Sequence, residues 1–278
     1  MIVGIDTGGT FTDFILIDQG RVFFHKLPST PENPASAVIE GWRELIRDGA
    51  SVEVTYGTTV ATNALLQRKG ARVALVTTQG FEDLIEIGRQ TRPELYALEP
   101  KRIEPLVGRS FRIGVAERIL ADGRILIRLS GAEIGRARRL IQQKRVQSIA
   151  VCFLHSYRNP AHEKGVAERL RSLHLPISLS HRIVPEYREY ERLSTTVLNA
   201  YVAPAIAGHM RDLEREMKRE TIQLRGRLRV MQSNGGSMSV RVARDQAVRT
   251  VLSGPAGGVV GACAVARQLG VKKIISLD

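Results

Sequence analysis

Cysteine, lysine, aromatic residues and long apolar runs are all scarce in this 278-residue chain. The two cysteines, Cys152 and Cys263, lie far apart in apolar segments and form no metal or redox spacing. A disulfide framework is thereby excluded, and the reduced cytoplasm is the expected compartment. The longest apolar stretch, Val259 to Ala266, contains a glycine and falls well short of the ~18 residues that a membrane span requires. No basic residue precedes the first apolar run, and Asp6 interrupts it, which argues against a secretory leader. Aromatic residues make up only 5% of the chain. The arginine knots at Arg136, Arg138 and Arg139 and at Arg225, Arg227 and Arg229 are not interleaved with them, so no base-stacking platform is built. Nucleic acid is therefore not the expected partner. Lysine supplies only 8 of the 41 basic residues, which outnumber 28 acidic ones for a net charge of +13. Such a field favours anionic ligands.

What is present is an ordinary globular balance, 43% hydrophobic and 25% charged, in a chain long enough for a sizeable core. Ile2–Ile5, Phe11–Ile17 and Arg21–Leu27 read as three strands joined by Gly8-Gly9 and Asp18-Gln-Gly20, an antiparallel meander. A helix over 36–47 follows, its apolar residues at helical spacing. Strand and helix then alternate: strands at 52–56, 72–77, 148–154, 177–180 and 228–231, and helices at 60–68, 82–87, 132–144, 161–173 and 186–220, the last broken at Pro204. This alternation predicts a parallel extension of the sheet. Residues of about 90–130 hold Pro93, Pro100 and Pro105 and a hairpin turned at Asp122-Gly123. They read as an insertion. A helix rich in small residues spans 259–269, and Ile274–Leu277 reads as a further strand.

Gly4-Ile-Asp6-Thr7-Gly8-Gly9-Thr10-Phe-Thr12-Asp13 lies between two strands, so it is neither a dinucleotide fingerprint nor a Walker loop. A glycine hairpin of this kind gathers backbone N–H groups into a concavity that suits phosphate. Thr10 and Thr12 add hydroxyls, and Asp6 at the strand end is placed to hold hydrated Mg²⁺. Gly57-Thr58-Thr59 ends a strand just before a helix, and on residue types alone it reads equally as a helix cap or as an anion contact. Ser253-Gly254-Pro-Ala-Gly257-Gly258-Val-Val-Gly261 opens a helix with glycines that cost ~1 kcal/mol each against alanine. Close approach of a ligand or of another helix accounts for them. His155, His162, His174 and His181 match no metal-ligand spacing, and His155 reads as a hydrogen-bonded turn residue. Ser156 is not in a nucleophile elbow.

These segments resemble the ATP-dependent hydantoinase A / 5-oxoprolinase family of the actin, heat-shock chaperone and sugar-kinase superfamily. The resemblance rests on Gly4–Phe14, Tyr56–Ala97, Phe153–Lys164, Pro185–Ala205, Val230–Val240 and Ser253–Cys263, and runs from Met1 to Asp278. It implies an α/β, actin-like (ribonuclease H-like) ATPase lobe over 1–270, with 271–278 as the first strand of a truncated second lobe that is otherwise missing. It implies ATP and Mg²⁺ as cofactors. The activity implied is phosphoryl-activated opening of a cyclic amide such as a hydantoin or 5-oxoproline. Asp6 and Asp278 would be the catalytic pair, holding Mg²⁺ through water. Asp6, Thr7, Gly8, Gly9, Thr10, Thr12, Asp13, Gly254, Gly257 and Gly258 would contact the nucleotide, and Thr58, Thr59, Asn63 and Arg89 the substrate. A second lobe or a companion hydantoinase B-type subunit is the implied partner. Two other readings are an acetone-carboxylase-type subunit that phosphorylates its substrate, and a basic non-enzymatic module for nucleic acid or an acidic partner.

Overall fold

A computed structural model describes residues 1–30, 32–46, 51–91, 94, 96–99, 104–220 and 228–277. The chain divides into two compact units, one of 1–69 with 205–278 and one of 70–204. The stretch of about 90–130 expected as an insertion thus belongs to a larger body of its own.

The first unit opens with β1 (Ile2–Thr7), β2 (Phe11–Asp18) and β3 (Arg21–Pro28). They pair as the expected antiparallel meander, with Asp6 opposite Asp13 and Asp13 opposite Lys26. α1 (Pro34–Leu45) follows, with proline in its first turn, and leads to β4 (Glu53–Thr58), which pairs parallel to β1. α2 (Val60–Leu66) closes this segment. Alternation along β1, β2 and β4 turns Val3, Ile5, Phe14, Leu16, Val54 and Tyr56 inward. α1 lays Ala37, Val38, Gly41 and Trp42 over that face. A Cβ on Gly41 would stand 2.3 Å from the buried Phe14 ring, so this glycine sets how closely α1 approaches the sheet. Gly41→Ala gains helix propensity of about 1 kcal/mol. The buried ring must shift to admit the methyl, and overpacking costs ~1–3 kcal/mol. The expected net result is a lower urea midpoint, and a raised midpoint contradicts this packing.

The second unit holds β5 (Val73–Thr78), α3 (Leu84–Ile87), β6 (Arg112–Val115), β7 (Arg118–Ile119), β8 (Ile125–Ile127), α4 (Gly131–Gln143), β9 (Ser148–Cys152), α5 (Ala161–Leu170), β10 (Ile177–Leu179) and α6 (Ser180–Ile183). Its parallel sheet runs β10-β9-β5-β6, and β7 pairs with β8 as the expected hairpin. Ile134, Ala137 and Ile141 of α4 and Val166 and Leu170 of α5 pack with Ile149, Val151 and Phe153 in one core.

α7 (Glu189–Arg219) contributes to both units and corrects one expectation: it passes through Pro204 unbroken. A proline removes the hydrogen bond to the carbonyl four residues earlier. That carbonyl, on Ala200, accepts instead from the Ser148 hydroxyl at 2.6 Å, and the Tyr201 carbonyl accepts from Ala71 N–H. The orphaned acceptor has a substitute partner, so the helix continues.

The chain then returns to the first unit with β11 (Arg229–Met231), β12 (Ser237–Ser239), α8 (Val240–Asp245) and α9 (Ser253–Gln268). The completed sheet has the order β12-β11-β4-β1-β2-β3. α9 starts at Ser253, where the glycine segment was expected to open a helix, earlier than the 259–269 span, and is entered through Leu252 in a left-handed conformation. It lies against β4 and β11, on the outer side of the sheet, where a Cβ on Gly257 would stand 3.4 Å from Met231. Beside it the outer face of the meander, with Ile2, Ile15, Ile17, Val22 and Phe24, stays solvent-exposed. Residues 274–277, expected as a strand, pair with no other strand among the described residues.

Candidate functional site

The site candidates of the first unit gather where β1 and β4 end side by side. The parallel register puts Asp6 beside Gly57 and Thr7 beside Thr58. Because side chains alternate, Asp6, Asp13 and Gly57 share the outer face, while Thr7, Thr12 and Thr58 face inward and are buried. Asp6 is exposed, and a Cβ on Gly57 would stand 2.5 Å from its Oδ1. Asp13 is held by Lys26 Nζ at 2.9 Å across the strand pair, and that ammonium also sits over the Phe11 ring.

The loop after β1 is tied at one end and open at the other. Gly8 N–H donates to the Phe11 carbonyl at 2.9 Å, and Ser29 N–H donates to the Thr10 carbonyl at 2.8 Å. The Gly9 and Thr10 amides, both on exposed residues, donate to no group among the described residues. Neither Gly8 nor Gly9 adopts a left-handed conformation, so the loop is a wide hairpin turn rather than the alternating nest. The Thr12 hydroxyl turns inward to Ser29 Oγ at 3.0 Å, across the sheet from Asp6. Among the described residues the buried Thr7 hydroxyl has no hydrogen-bond partner.

A short relay connects this loop to α2. Thr59 N–H and Oγ1 both donate to the Thr7 carbonyl, at 3.2 and 3.3 Å. Asn63 Nδ2 donates to Thr59 Oγ1 at 3.2 Å and lies 3.9 Å from where a Cβ on Gly9 would be. Thr58 Oγ1 accepts from Val60 N–H at 3.3 Å, but the N-cap of α2 is Thr59, whose side chain makes no capping bond. α9 abuts the same strand end, with Ser253 Oγ donating to the Thr58 carbonyl at 3.4 Å and Leu252 N–H to Thr62 Oγ1 at 3.0 Å. Of its glycines, Gly257 faces Met231, whereas Gly254 and Gly258 have open space where a side chain would be.

Two expected residues are not among those described at this cluster. Asp278 lies outside the described residues. Arg89 belongs to the second unit, where its Nε donates to Glu191 at 2.8 Å and its guanidinium lies over Tyr190. The ion pair holds the Glu191 carboxyl below its usual range.

Sequence reasoning also passed over the buried polar groups of the second unit. Glu163 is fully buried and accepts from Phe153 N–H, Ser180 Oγ, His181 N–H and His181 Nδ1. Glu117 pairs in the same way with His162 Nδ1 at 2.7 Å. His155, in a left-handed turn, accepts through its carbonyl from Arg158 and Asn159 N–H, as expected of a turn residue. Cys152 is a free thiol pushed up to about 12 by burial, which keeps it unreactive. Among the described residues no helix is long and apolar enough to cross a membrane.

The residues present fit a magnesium-bound phosphate group. An exposed carboxylate sits over a glycine with no side chain to displace it, and two free amides follow three residues later. Among the described residues no cluster of three or more His, Cys, Asp or Glu could hold a metal. Magnesium bound by one or two carboxylates, waters and ligand phosphates requires none.

Comparison with known proteins bears on the same residues. The family model described as "Hydantoinase/oxoprolinase N-terminal region" matches residues 2–174, and "Hydantoinase/oxoprolinase" matches 192–278. The chain is 35% identical to the caprolactamase subunit alpha of Pseudomonas jessenii, over 99% of this chain and 41% of that protein. It is 32% identical to the 5-oxoprolinase of Dictyostelium discoideum, over 92% of this chain and 23% of that protein. Among solved structures, nucleotide-free acetone carboxylase superposes with a TM-score of 0.85 at 31% identity, covering 97% of this chain and 41% of that one. The chain spans about two fifths of the length of the first of these relatives. The mixed sheet, with its meander and parallel strands flanked by helices, is consistent with the expected actin-like ATPase lobe.

Proposed function

Because the chain belongs to the hydantoinase/oxoprolinase family, we propose that it is the N-terminal ATP-binding part of an enzyme that opens a cyclic amide at the expense of ATP. What supports this most directly is the Asp6 carboxylate lying over Gly57 at the paired ends of β1 and β4, just before the open amides of Gly9 and Thr10. A lactam is a poor electrophile. Bound magnesium ATP would supply a phosphoryl group to the amide oxygen, which makes the ring carbon electrophilic enough for water to add and the ring nitrogen to leave, phosphate being released when the resulting acyl phosphate is hydrolysed.

The chain's own part is positioning and charge neutralisation, on which phosphoryl transfer chiefly depends. Gly9 and Thr10 N–H donate to phosphate oxygens, and the Gly8 N–H, spent on Phe11, fixes the loop that presents them. Asp6 accepts from waters of the magnesium shell, and Asp278 completes the catalytic pair. Gly254 and Gly258, where α9 leaves open space, admit the nucleotide. Thr59 and Asn63, linked to each other and to the Thr7 carbonyl, orient the substrate next to the buried Thr58. Asp13 and Thr12 serve the site indirectly, through Lys26 and Ser29.

The structural likeness to acetone carboxylase favours one second reading, a subunit that phosphorylates a carbonyl substrate with the same loop. The caprolactamase relative is named as a subunit, which supports a companion polypeptide here. Calorimetry with magnesium ATP tests the nucleotide reading. This chain should bind in the roughly millimolar range, about −4 kcal/mol. Asp6→Ala should weaken binding about tenfold, as loss of a metal-orienting group does. No binding by the unaltered chain, or duplex-DNA binding with a steep salt slope, overturns the proposal in favour of a basic module.

A further inference from the structure

Gly57 is the one residue at this strand end whose identity neither backbone conformation nor core packing explains. Its φ lies outside the left-handed region, so any L residue satisfies the backbone. It sits in β4, between β1 and β11, where glycine weakens a strand unless something approaches closely. What approaches is a single group. A Cβ would stand 2.5 Å from Asp6 Oδ1 and 3.3 Å from Asp6 Cγ, and the next atom, the Ile5 carbonyl oxygen, is at an ordinary 3.6 Å. The space a side chain would fill is occupied by the Asp6 carboxylate.

We infer that Gly57 is a positioning residue: its missing side chain is what lets the Asp6 carboxylate lie flat over β4 and face the bound metal's waters. The inference rests on the nucleotide reading above. The clash falls on the end of an exposed side chain rather than on backbone. An added methyl therefore turns Asp6 aside without breaking the sheet. That separates positioning from a structural role, which would appear as lost stability.

The test compares the unaltered chain, Gly57→Ala, Asp6→Ala and the double variant. With no nucleotide present, side-chain couplings measured by NMR report the Asp6 rotamer. Gly57→Ala should change that rotamer while leaving the urea midpoint unchanged. The magnesium-dependent gain in ATP affinity should fall about tenfold in Gly57→Ala, within the range known for groups that orient metal ligands. Affinity measured in EDTA should stay the same. The double variant should bind no more weakly than Asp6→Ala, because the methyl then has nothing to displace. An unchanged Asp6 rotamer, an equal loss of affinity with and without magnesium, or an additive double variant overturns the inference. If magnesium adds nothing to ATP binding by the unaltered chain while the rotamer still moves, the nucleotide reading fails and the steric control of Asp6 by Gly57 stands.

Discussion

Replacing Arg192 with alanine should destabilise the second unit by about 3–5 kcal/mol, the cost of breaking a buried charge pair from one side. Arg192 is completely buried on α7. Nη1 donates to Ser156 Oγ at 2.5 Å and to Ser180 Oγ, and Nη2 donates to the Phe153 carbonyl at 2.7 Å and to the Glu189 carboxylate. Its Nη1 lies 4.0 Å from Glu163 Oε1, and Glu163 is fully buried too. Truncation leaves that carboxylate without its cation, and leaves the Phe153 carbonyl and the Ser156 hydroxyl short of a donor. Each buried polar group stripped of its partner adds ~1–3 kcal/mol. Arg192→Met refills the volume but not the charge, so it should recover little. Arg192→Met with Glu163→Leu removes both ions and should be the milder change, since apolar replacement of a whole buried pair is often neutral. Urea unfolding of the four proteins measures this. A loss under about 1 kcal/mol in Arg192→Ala would show that water already reaches the guanidinium.

That network marks where reading the sequence stops. The motifs around Phe153–Lys164 and Pro185–Ala205 were visible as words, but nothing local says that Glu163 of one meets Arg192 of the other. The partners lie on different elements, and hydrogen bonds of long sequence separation leave no periodicity. Pro204 failed for the same reason: a proline in a helix predicts a break, and its rescue depends on Ser148, in another strand. What was legible was local or periodic. The meander followed from two glycine turns and alternation, and its register set Asp13 across from Lys26 and Asp6 across from Asp13. The Asp6 loop stood out by composition, whereas Gly57 did not, because a glycine before two threonines at a strand end reads equally as the start of a helix cap. Its meaning lies in the neighbouring strand, in an atom 2.5 Å from where its side chain would be.

Stability should also fall as the solution is acidified from pH 6.5 toward 4, through one histidine of the first unit. His209 on α7 accepts at Nε2 from the Tyr56 hydroxyl at 2.7 Å, and both rings are buried. Burial pushes the Tyr56 phenol up to about 12, so it remains the donor. Burial likewise lowers His209 from 6.5 to about 4, against a smaller opposing pull from Asp212. The folded chain therefore keeps His209 neutral where the unfolded chain protonates it. Because the unfolded state binds the extra proton, this contribution is complete above pH 6.5, declines as the pH falls, and is gone once it passes the folded value near 4. At 1.36 kcal/mol per pH unit the whole span is about 3 kcal/mol, and roughly 2 kcal/mol of it should disappear by pH 5. Carboxylates titrate in the lower part of this window, so the informative quantity is the difference from His209→Gln, whose amide can still accept from Tyr56 but takes up no proton. That variant should start less stable at pH 7 and show a flatter slope between pH 6.5 and 5. Parallel slopes for the two proteins would mean that water reaches the imidazole, and that the Tyr56–His209 contact does not seal this side of the sheet.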